Sequence, residues 1–389
     1  QVPGQAVRAL AVDGTSGTVL LTDAAGKPLG PALMYNDNRA AAEAGRITQI
    51  APPDSAAHGT GSGLAKVLWL LTHISCSFPT ADSDPRALTK PDEETGRDRG
   101  AGGVTHVSTQ ADWIAGRLCG RTGISDANNV LKLGWDPVAR VWPVWFEKLG
   151  VPRALMPEVL PPGTPLGRIL PALARQWGLS AETVVVAGTT DSTAGILATG
   201  ADCLGDAITS LGSTLVTKVI AAEPLFAPDY GVYSQPLGER WLVGGGSNSG
   251  GAVLKHFFTP AQMQEFSARI DPDSPTGLGY YPLLAPGERF PYNDPTRPSR
   301  LSPRPKDDAR FFQGLLEGIA AIEAEAYRRL AELGAPYPRR VFSVGGGAVN
   351  EAWARIRAKQ LGVPLMQAQQ TEAAYGAALL AKAVVQASR

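Results

Sequence analysis

The sequence predicts an α/β protein of more than one domain, and three observations carry that prediction. Strands rich in β-branched residues run into glycine turns and then directly into helical patterns, as at residues 183–199 and 341–361. A strand–turn–strand block tipped by Gly, Ser and Thr occurs twice, about 200 residues apart, which points to a duplicated domain. A length of 389 residues gives room for two or three domains, each with its own core.

The first block, residues 7–23, reads as a strand, the turn Asp13-Gly14-Thr15-Ser16-Gly17, and a second strand through Val19, Leu20 and Leu21. Residues 75–103 are rich in Ser, Pro, Asp, Glu, Arg and Gly with almost no apolar periodicity, and read as a solvated loop insertion. Helical signals resume over 109–118, where Ala111, Trp113, Ile114 and Leu118 suit one face. Residues 157–165 read as a Pro-rich linker, and 170–177 as a short helix ended by Gly178. The run Thr183-Val184-Val185-Val186-Ala187 lacks polar alternation and predicts a buried strand. Gly188-Thr189-Thr190-Asp191-Ser192 follows it and opens a small-residue helix closed by Gly200. The second block pairs residues 207–211 and 215–218 around Gly212-Ser213-Thr214.

Phe311, Leu315, Ile319, Ile322 and Leu330 form a long helical stripe before Gly334. The strand Val341-Phe342-Ser343-Val344 enters Gly345-Gly346-Gly347, and a helix with Trp353, Ile356 and Leu361 inside follows. A last helix of small residues opens at Thr371.

Composition excludes several classes. Lys plus Arg and Asp plus Glu both number 36, so a zero formal charge gives no electrostatic reason for a nucleic-acid or membrane partner. No apolar run approaches the ~20 residues of a membrane span. Cys76, Cys119 and Cys203 are an odd set without Cys-x-x-Cys spacing, which fits a reducing compartment better than a disulfide framework. His58, His73, His106 and His256 are scattered, which disfavours a histidine metal centre.

The glycine turns are the raw material for phosphate binding, because glycine permits close backbone approach and exposed N–H groups act as donors. Gly212-Ser213-Thr214 adds two hydroxyls, and Gly345-Gly346-Gly347 lies at a helix N-terminus. Neither a P-loop nor a Rossmann fingerprint is present. Asp191, between a buried strand and a helix, is placed either as an N-cap or as a general base, and position alone leaves both open. Asp13 either orients a metal ion or ties down its turn.

Eight stretches, in order, resemble the FGGY carbohydrate kinases of the actin–hexokinase–Hsp70 superfamily, and within them the cyanobacterial and plant D-ribulose kinases labelled xylulose-kinase-like. They are residues 11–21 around Asp13-Gly14-Thr15-Ser16-Gly17, Tyr35-Asn36-Asp37, residues 128–134, and residues 187–192 with Asp191. Residues 209–214, residues 244–251, Gly345 to Asn350, and residues 371–376 complete the set. The resemblance implies two actin-like ATPase (ribonuclease H-like) α/β domains with an interdomain cleft, divided as 1–201 for the sugar and 202–389 for the nucleotide. It implies ATP and Mg²⁺ as cofactors and a small-molecule sugar as the other partner, in a monomer or homodimer within the cytoplasm or a chloroplast.

Residue by residue, the resemblance makes Asp191 the base, with Ser192 and Ser16 on the sugar. Gly212, Ser213 and Thr214 fall on a phosphate hairpin, and Gly346, Gly347 and Asn350 on the adenosine motif. Xylulose kinases typically carry Met-His where Ser16-Gly17 stands, which favours D-ribulose over D-xylulose. The family's opening Asp-x-Gly-Thr hairpin has no match here, since Asp13-Gly14-Thr15 lacks the spacer, and the sequence reads as lacking that first phosphate hairpin. D-Xylulose or a polyol is the alternative substrate. A non-catalytic sugar or nucleotide sensor is the competing class.

Overall fold

The computed structural model describes residues 3–74 and 103–387, so the insertion expected over 75–103 falls outside the described residues apart from its last position. Two compact units emerge, residues 1–195 with 372–389, and residues 196–371. The sequence placed one division at 201/202. The structure returns the last helix to the first unit because it packs there at glycine range: a Cβ on Gly376 would lie 1.8 Å from the Ala194 carbonyl oxygen.

In the first unit, β1 (Ala9–Leu10) and β2 (Asp13–Gly14) are followed by β3 (Val19–Thr22), α1 (Ala41–Ile50) and α2 (Gly63–His73). Next come β4 (His106–Thr109), α3 (Gln110–Cys119), β5 (Ile124–Asp126), α4 (Phe146–Leu149) and β6 (Glu158–Leu160). Then follow β7 (Pro165–Arg168), α5 (Pro171–Trp177), β8 (Val184–Val186), β9 (Thr189–Thr190) and α6 (Asp191–Ala198), whose last three residues are counted with the second unit. The expected opening hairpin does not form. β1 runs parallel to β8 and β2 parallel to β9, whereas β3 turns away to pair antiparallel with β4. The Pro-rich linker contains β6, which pairs with β5. A core of Val19, Leu33, Ile47, Leu64, Leu70, Val107 and Phe146 fills one side of the unit.

Hydroxyl and amide side chains fix the loop beside β9. Asp126 is buried; its Oδ1 accepts the backbone N–H groups of Asn128 and Asn129 at 2.9 and 3.0 Å. Its Oδ2 accepts from the Asn129 amide at 2.6 Å, and Asn128 donates onward to Thr189 Oγ1 at 3.1 Å. Burial, and then the neighbouring Asp112 carboxylate, push Asp126 up to about 7.

The second unit is built on one six-stranded sheet in the order β12-β13-β11-β10-β14-β15. Its elements are β10 (Asp206–Leu211), β11 (Leu215–Ala221), β12 (Tyr233–Leu237), β13 (Arg240–Gly246), α7 (Gly251–Phe257), α8 (Pro260–Arg269), α9 (Asp308–Glu332), β14 (Arg340–Val344), α10 (Glu351–Leu361) and β15 (Leu365–Gln367). The closing helix of the chain, α11 (Ala373–Ala387), belongs to the first unit. β10 and β11 form the expected antiparallel hairpin, and β14 joins β10 in parallel. α9 buries its whole expected stripe, Phe311, Leu315, Ile319, Ile322 and Leu330, each side chain contributing about 1.5–3 kcal/mol of transfer free energy.

Within that stripe α9 also carries Glu323, fully buried against Arg357 of α10. The guanidinium donates to both carboxylate oxygens at 2.6 and 2.7 Å and to Ser343 Oγ of β14 at 2.8 Å. Thr209 of β10 donates to the same carboxylate at 2.6 Å. The two strands that end in glycine turns are thereby tied to one ion pair. No helix among the described residues is long and apolar enough to cross a membrane.

Removing one partner of such a pair leaves an uncompensated buried charge. Arg357→Met is expected to lower stability by about 3–5 kcal/mol in urea denaturation at neutral pH, and the double change with Glu323→Met by less. The Asp126 carboxyl gives a pH signature. Its folded titration lies above that of the unfolded chain, so its contribution is full below about pH 4 and is lost as pH rises through about 7. Asp126→Asn should flatten that decline. Melting temperatures from pH 4 to 8 should show the variant gaining on the natural chain as pH rises.

Candidate functional site

Asp191 owes its place to a glycine. A Cβ on Gly188 would sit 1.8 Å from the Val12 carbonyl oxygen, so only glycine lets the strand after β8 lie against the chain between β1 and β2. Asp13 then stands opposite Thr189, two residues before Asp191. At the start of α6 the capping bond is made by Thr190, whose Oγ1 accepts the N–H of Thr193 at 3.3 Å. The N-cap role open to Asp191 therefore falls to its neighbour. Asp191 is half-buried, and its Oδ1 accepts the N–H of Ser192 at 2.7 Å. Ser192 is exposed, its hydroxyl 3.2 Å from that of Thr190.

Asp13 titrates above the ordinary aspartate range, first through burial and then through the Asp191 carboxylate. Two interacting carboxylates offer oxygen donors of the kind a hard divalent cation takes, so the chemistry of Asp13 fits Mg²⁺.

The turn carrying Ser16 is clamped on several sides. Gln110 at the start of α3 accepts from the Thr15 N–H and hydroxyl at 2.9 and 2.8 Å. Gly17 has φ +86°, and a Cβ there would come within 2.7 Å of the Gly61 carbonyl oxygen. Lys66 of α2, fully buried, donates from Nζ to the carbonyls of Gly17, Tyr35 and Gly61 at 2.9, 3.1 and 3.5 Å. Burial, and secondarily Lys132, lower its titration to about 8. Lys132 Nζ lies 3.5 Å from the Ser16 carbonyl and feels the Asp191 carboxylate. The structure thus brings Asp13, Ser16, Asp191 and Ser192 together with two lysines that sequence reasoning missed.

In the second unit three glycine segments converge. Gly345, with φ +84°, would place a Cβ 2.9 Å from the Leu211 carbonyl oxygen, and a Cβ on Gly347 would meet the Trp353 ring at 2.5 Å. Gly250 abuts Ser213 and Thr214, and the N–H groups of Gly251 and Ala252 donate to the carbonyls of Gly212 and Ser213 at 2.9 and 3.0 Å. Ser213 and Thr214 are exposed at the β10–β11 tip, and Gly346 faces open space. Asn350 is used within the fold: its Oδ1 caps α10 at Trp353 N, 2.9 Å, and its Nδ2 donates to Ser267 Oγ at 2.8 Å.

The loop after β13 is held by an anchor that the sequence does not mark. Buried Glu288 accepts from Ser247 Oγ, Asn248 N and Tyr281 Oη, each at 2.7 Å, and so holds the approach to Gly250 and Gly251. An acid between Gly287 and Arg289 in a loop carries no periodic signal that could have revealed this.

Comparison with known proteins adds the ancestry. The chain matches the FGGY family of carbohydrate kinases, N-terminal domain, over residues 1–198, and its C-terminal domain over residues 207–384. It is 27% identical over 393 residues to an autoinducer-2 kinase of Yersinia pestis, covering 94% of this chain and 70% of that protein. It is 26% identical over 373 residues to the xylulose kinase of Escherichia coli, covering 91% and 71%. Among solved structures, a xyloylose kinase from Brucella ovis superposes with a TM-score of 0.82 at 24% identity, covering 99% of this chain and 77% of that one. Plasmodium falciparum glycerol kinase with ADP superposes at 0.79 and 14%, covering 98% and 76%. Those likenesses establish the two-domain, actin-like α/β fold. The chain belongs to the FGGY family of carbohydrate kinases, ATP-dependent enzymes that generally use Mg²⁺.

Proposed function

We propose that this kinase phosphorylates a ketopentose, D-ribulose before others, giving D-ribulose 5-phosphate and ADP. The observation that carries the reading is Asp191, relieved of capping by Thr190 and set beside Asp13 and the Ser16 turn. Asp191 accepts the proton of the sugar hydroxyl as its oxygen attacks phosphorus. Ser16 and Ser192 supply hydroxyls for the sugar. Ser213 and Thr214, with the backbone of Gly212, donate to phosphate oxygens, and Gly346 and Gly347 let the adenosine lie against backbone. Asn350 contributes by shaping that turn. Asp13 would hold Mg²⁺, whose charge offsets the charge spread over the phosphate oxygens.

Ser16-Gly17, standing where xylulose kinases typically carry Met-His, supports D-ribulose. D-Xylulose is the second reading, favoured by the similarity to the E. coli xylulose kinase. A coupled ADP assay across ketopentoses and polyols decides between them: D-ribulose should give the highest kcat/KM, and a lead for D-xylulose would reverse the order. Sugar-induced thermal stabilisation without ADP release would instead indicate a sensor.

Asp191→Ala should lower kcat by about 10²–10⁴-fold, the usual contribution of a general base, with little change in melting temperature because Thr190 keeps the cap. Turnover within tenfold of the natural chain would remove Asp191 from the mechanism. Ser213→Ala and Thr214→Ala should each raise the KM for ATP about 2- to 10-fold, the cost of one hydrogen bond, and leave the KM for the sugar in place.

A further inference from the structure

Two lysines reach the Ser16 turn, and they are not equivalent. Lys66 donates firmly to the Gly17 and Tyr35 carbonyls at 2.9 and 3.1 Å and reaches the Gly61 carbonyl at 3.5 Å, so most of its ammonium is employed in holding these segments. The Lys132 ammonium makes a single hydrogen bond among the described residues, to the Ser16 carbonyl at 3.5 Å, which is at the outer limit of a hydrogen bond and engages one donor at most. Its backbone leaves it little freedom to move off. Leu131 and Leu133 on either side are buried, and the Lys132 carbonyl accepts from Ser62 Oγ at 3.3 Å. The stem runs along Gly17, where an added Cβ would come within 3.3 Å of Lys132 Cδ.

An ammonium held in this way carries an electrostatic cost. Burial lowers the Lys132 titration, Lys66 stands close enough to be repelled, and the Asp191 carboxylate is the charge that favours it. A lysine needed only to brace the turn would duplicate Lys66. The remaining Lys132 N–H groups are free for an oxygen acceptor, and the Ser16 carbonyl and the Asp191 carboxylate mark where such an acceptor would lie.

We propose that Lys132 is a substrate-binding residue that donates to a carbonyl or hydroxyl oxygen of the sugar, beside the hydroxyl from which Asp191 takes the proton. The inference rests on the kinase reading and adds a specificity element to the same site. It makes recognition depend on one sugar oxygen, since an analogue without that oxygen leaves a desolvated ammonium unpaired.

The test is kinetic, on the full chain, with D-ribulose, D-xylulose and the singly deoxygenated forms of the better substrate. Lys132→Met should raise the KM for the sugar about 10- to 100-fold, the range for a hydrogen bond to a charged group, with the KM for ATP within about twofold. One deoxy sugar should be used at least about tenfold less well than its parent by the natural chain, and as well as its parent by Lys132→Met. Lys132→Gln, which keeps a donor, should fall between them, and it serves the same comparison if the Met variant fails to fold. A sugar KM unmoved in both variants, or deoxy sugars discriminated as by the natural chain, overturns the inference while leaving the kinase reading in place. So does an equal rise in both substrates' KM, because a merely structural lysine would act that way. If no sugar elicits ADP release from the natural chain, both readings fall together.

Discussion

The contact between Gly188 and the Val12 carbonyl is the constraint on which the surroundings of Asp191 depend. Any side chain at 188 would drive the β9 segment away from β2, and Thr189, two residues before Asp191, would lose its register with Asp13. The cost of glycine is conformational, roughly 0.5–1 kcal/mol relative to alanine, and it is small beside the cost of forcing a Cβ into a carbonyl oxygen. Asn128 reinforces the same segment from the other side by its bond to Thr189. The position of one carboxylate is thus set by backbone packing, with little left to its own rotamer.

The nucleotide-type turns depend on a different physical device. A buried ion pair is poor evidence for stability, because desolvating two charges offsets most of their attraction. Its geometry here explains what it does. Glu323 and Arg357 are joined by two hydrogen bonds and reach Thr209 on β10 and Ser343 on β14, each shortly before a glycine turn. A hydrophobic pair would fill the volume without specifying the relative height of two parallel strands. Gly345 needs that height, since its approach to Leu211 leaves no slack.

Much of this was legible in the sequence because it was periodic or local. The strand–turn–helix around Asp191, the hairpin at Gly212 and the stripe of α9 follow from spacing alone. The opening hairpin misled because strand runs on either side of a glycine turn specify strands, while partners are chosen by the whole unit; β3 found β4, and β1 and β2 found β8 and β9. The capping assignment at α6 depended on where the helix begins. Thr190 and Asp191 are both good caps, and a one-residue difference in the boundary exchanges their roles. Glu323, Arg357 and Lys66 left a trace, as charged residues at positions where their neighbours are buried. Their partners could not be read. Lys66 bonds carbonyls 31 and 49 residues away, and backbone acceptors carry no side-chain signature.

The exchange between Thr190 and Asp191 has a chemical consequence. A capping carboxylate spends its oxygens on the free N–H groups of the first turn, and a proton acceptor needs an oxygen directed at its substrate. With the hydroxyl of Thr190 serving Thr193, Asp191 gives one oxygen to the adjacent Ser192 N–H, and that bond fixes the carboxylate plane. The second oxygen is then open to the substrate hydroxyl that the proposed reaction requires. Ser192 stands exposed beside it and the Ser16 turn is held by Gln110 and Lys66. The groups that would meet a polyol are therefore oriented by residues that do not themselves touch it. Orientation by backbone and supporting side chains is what lets a short carboxylate act as a base without reorganising at the moment of reaction.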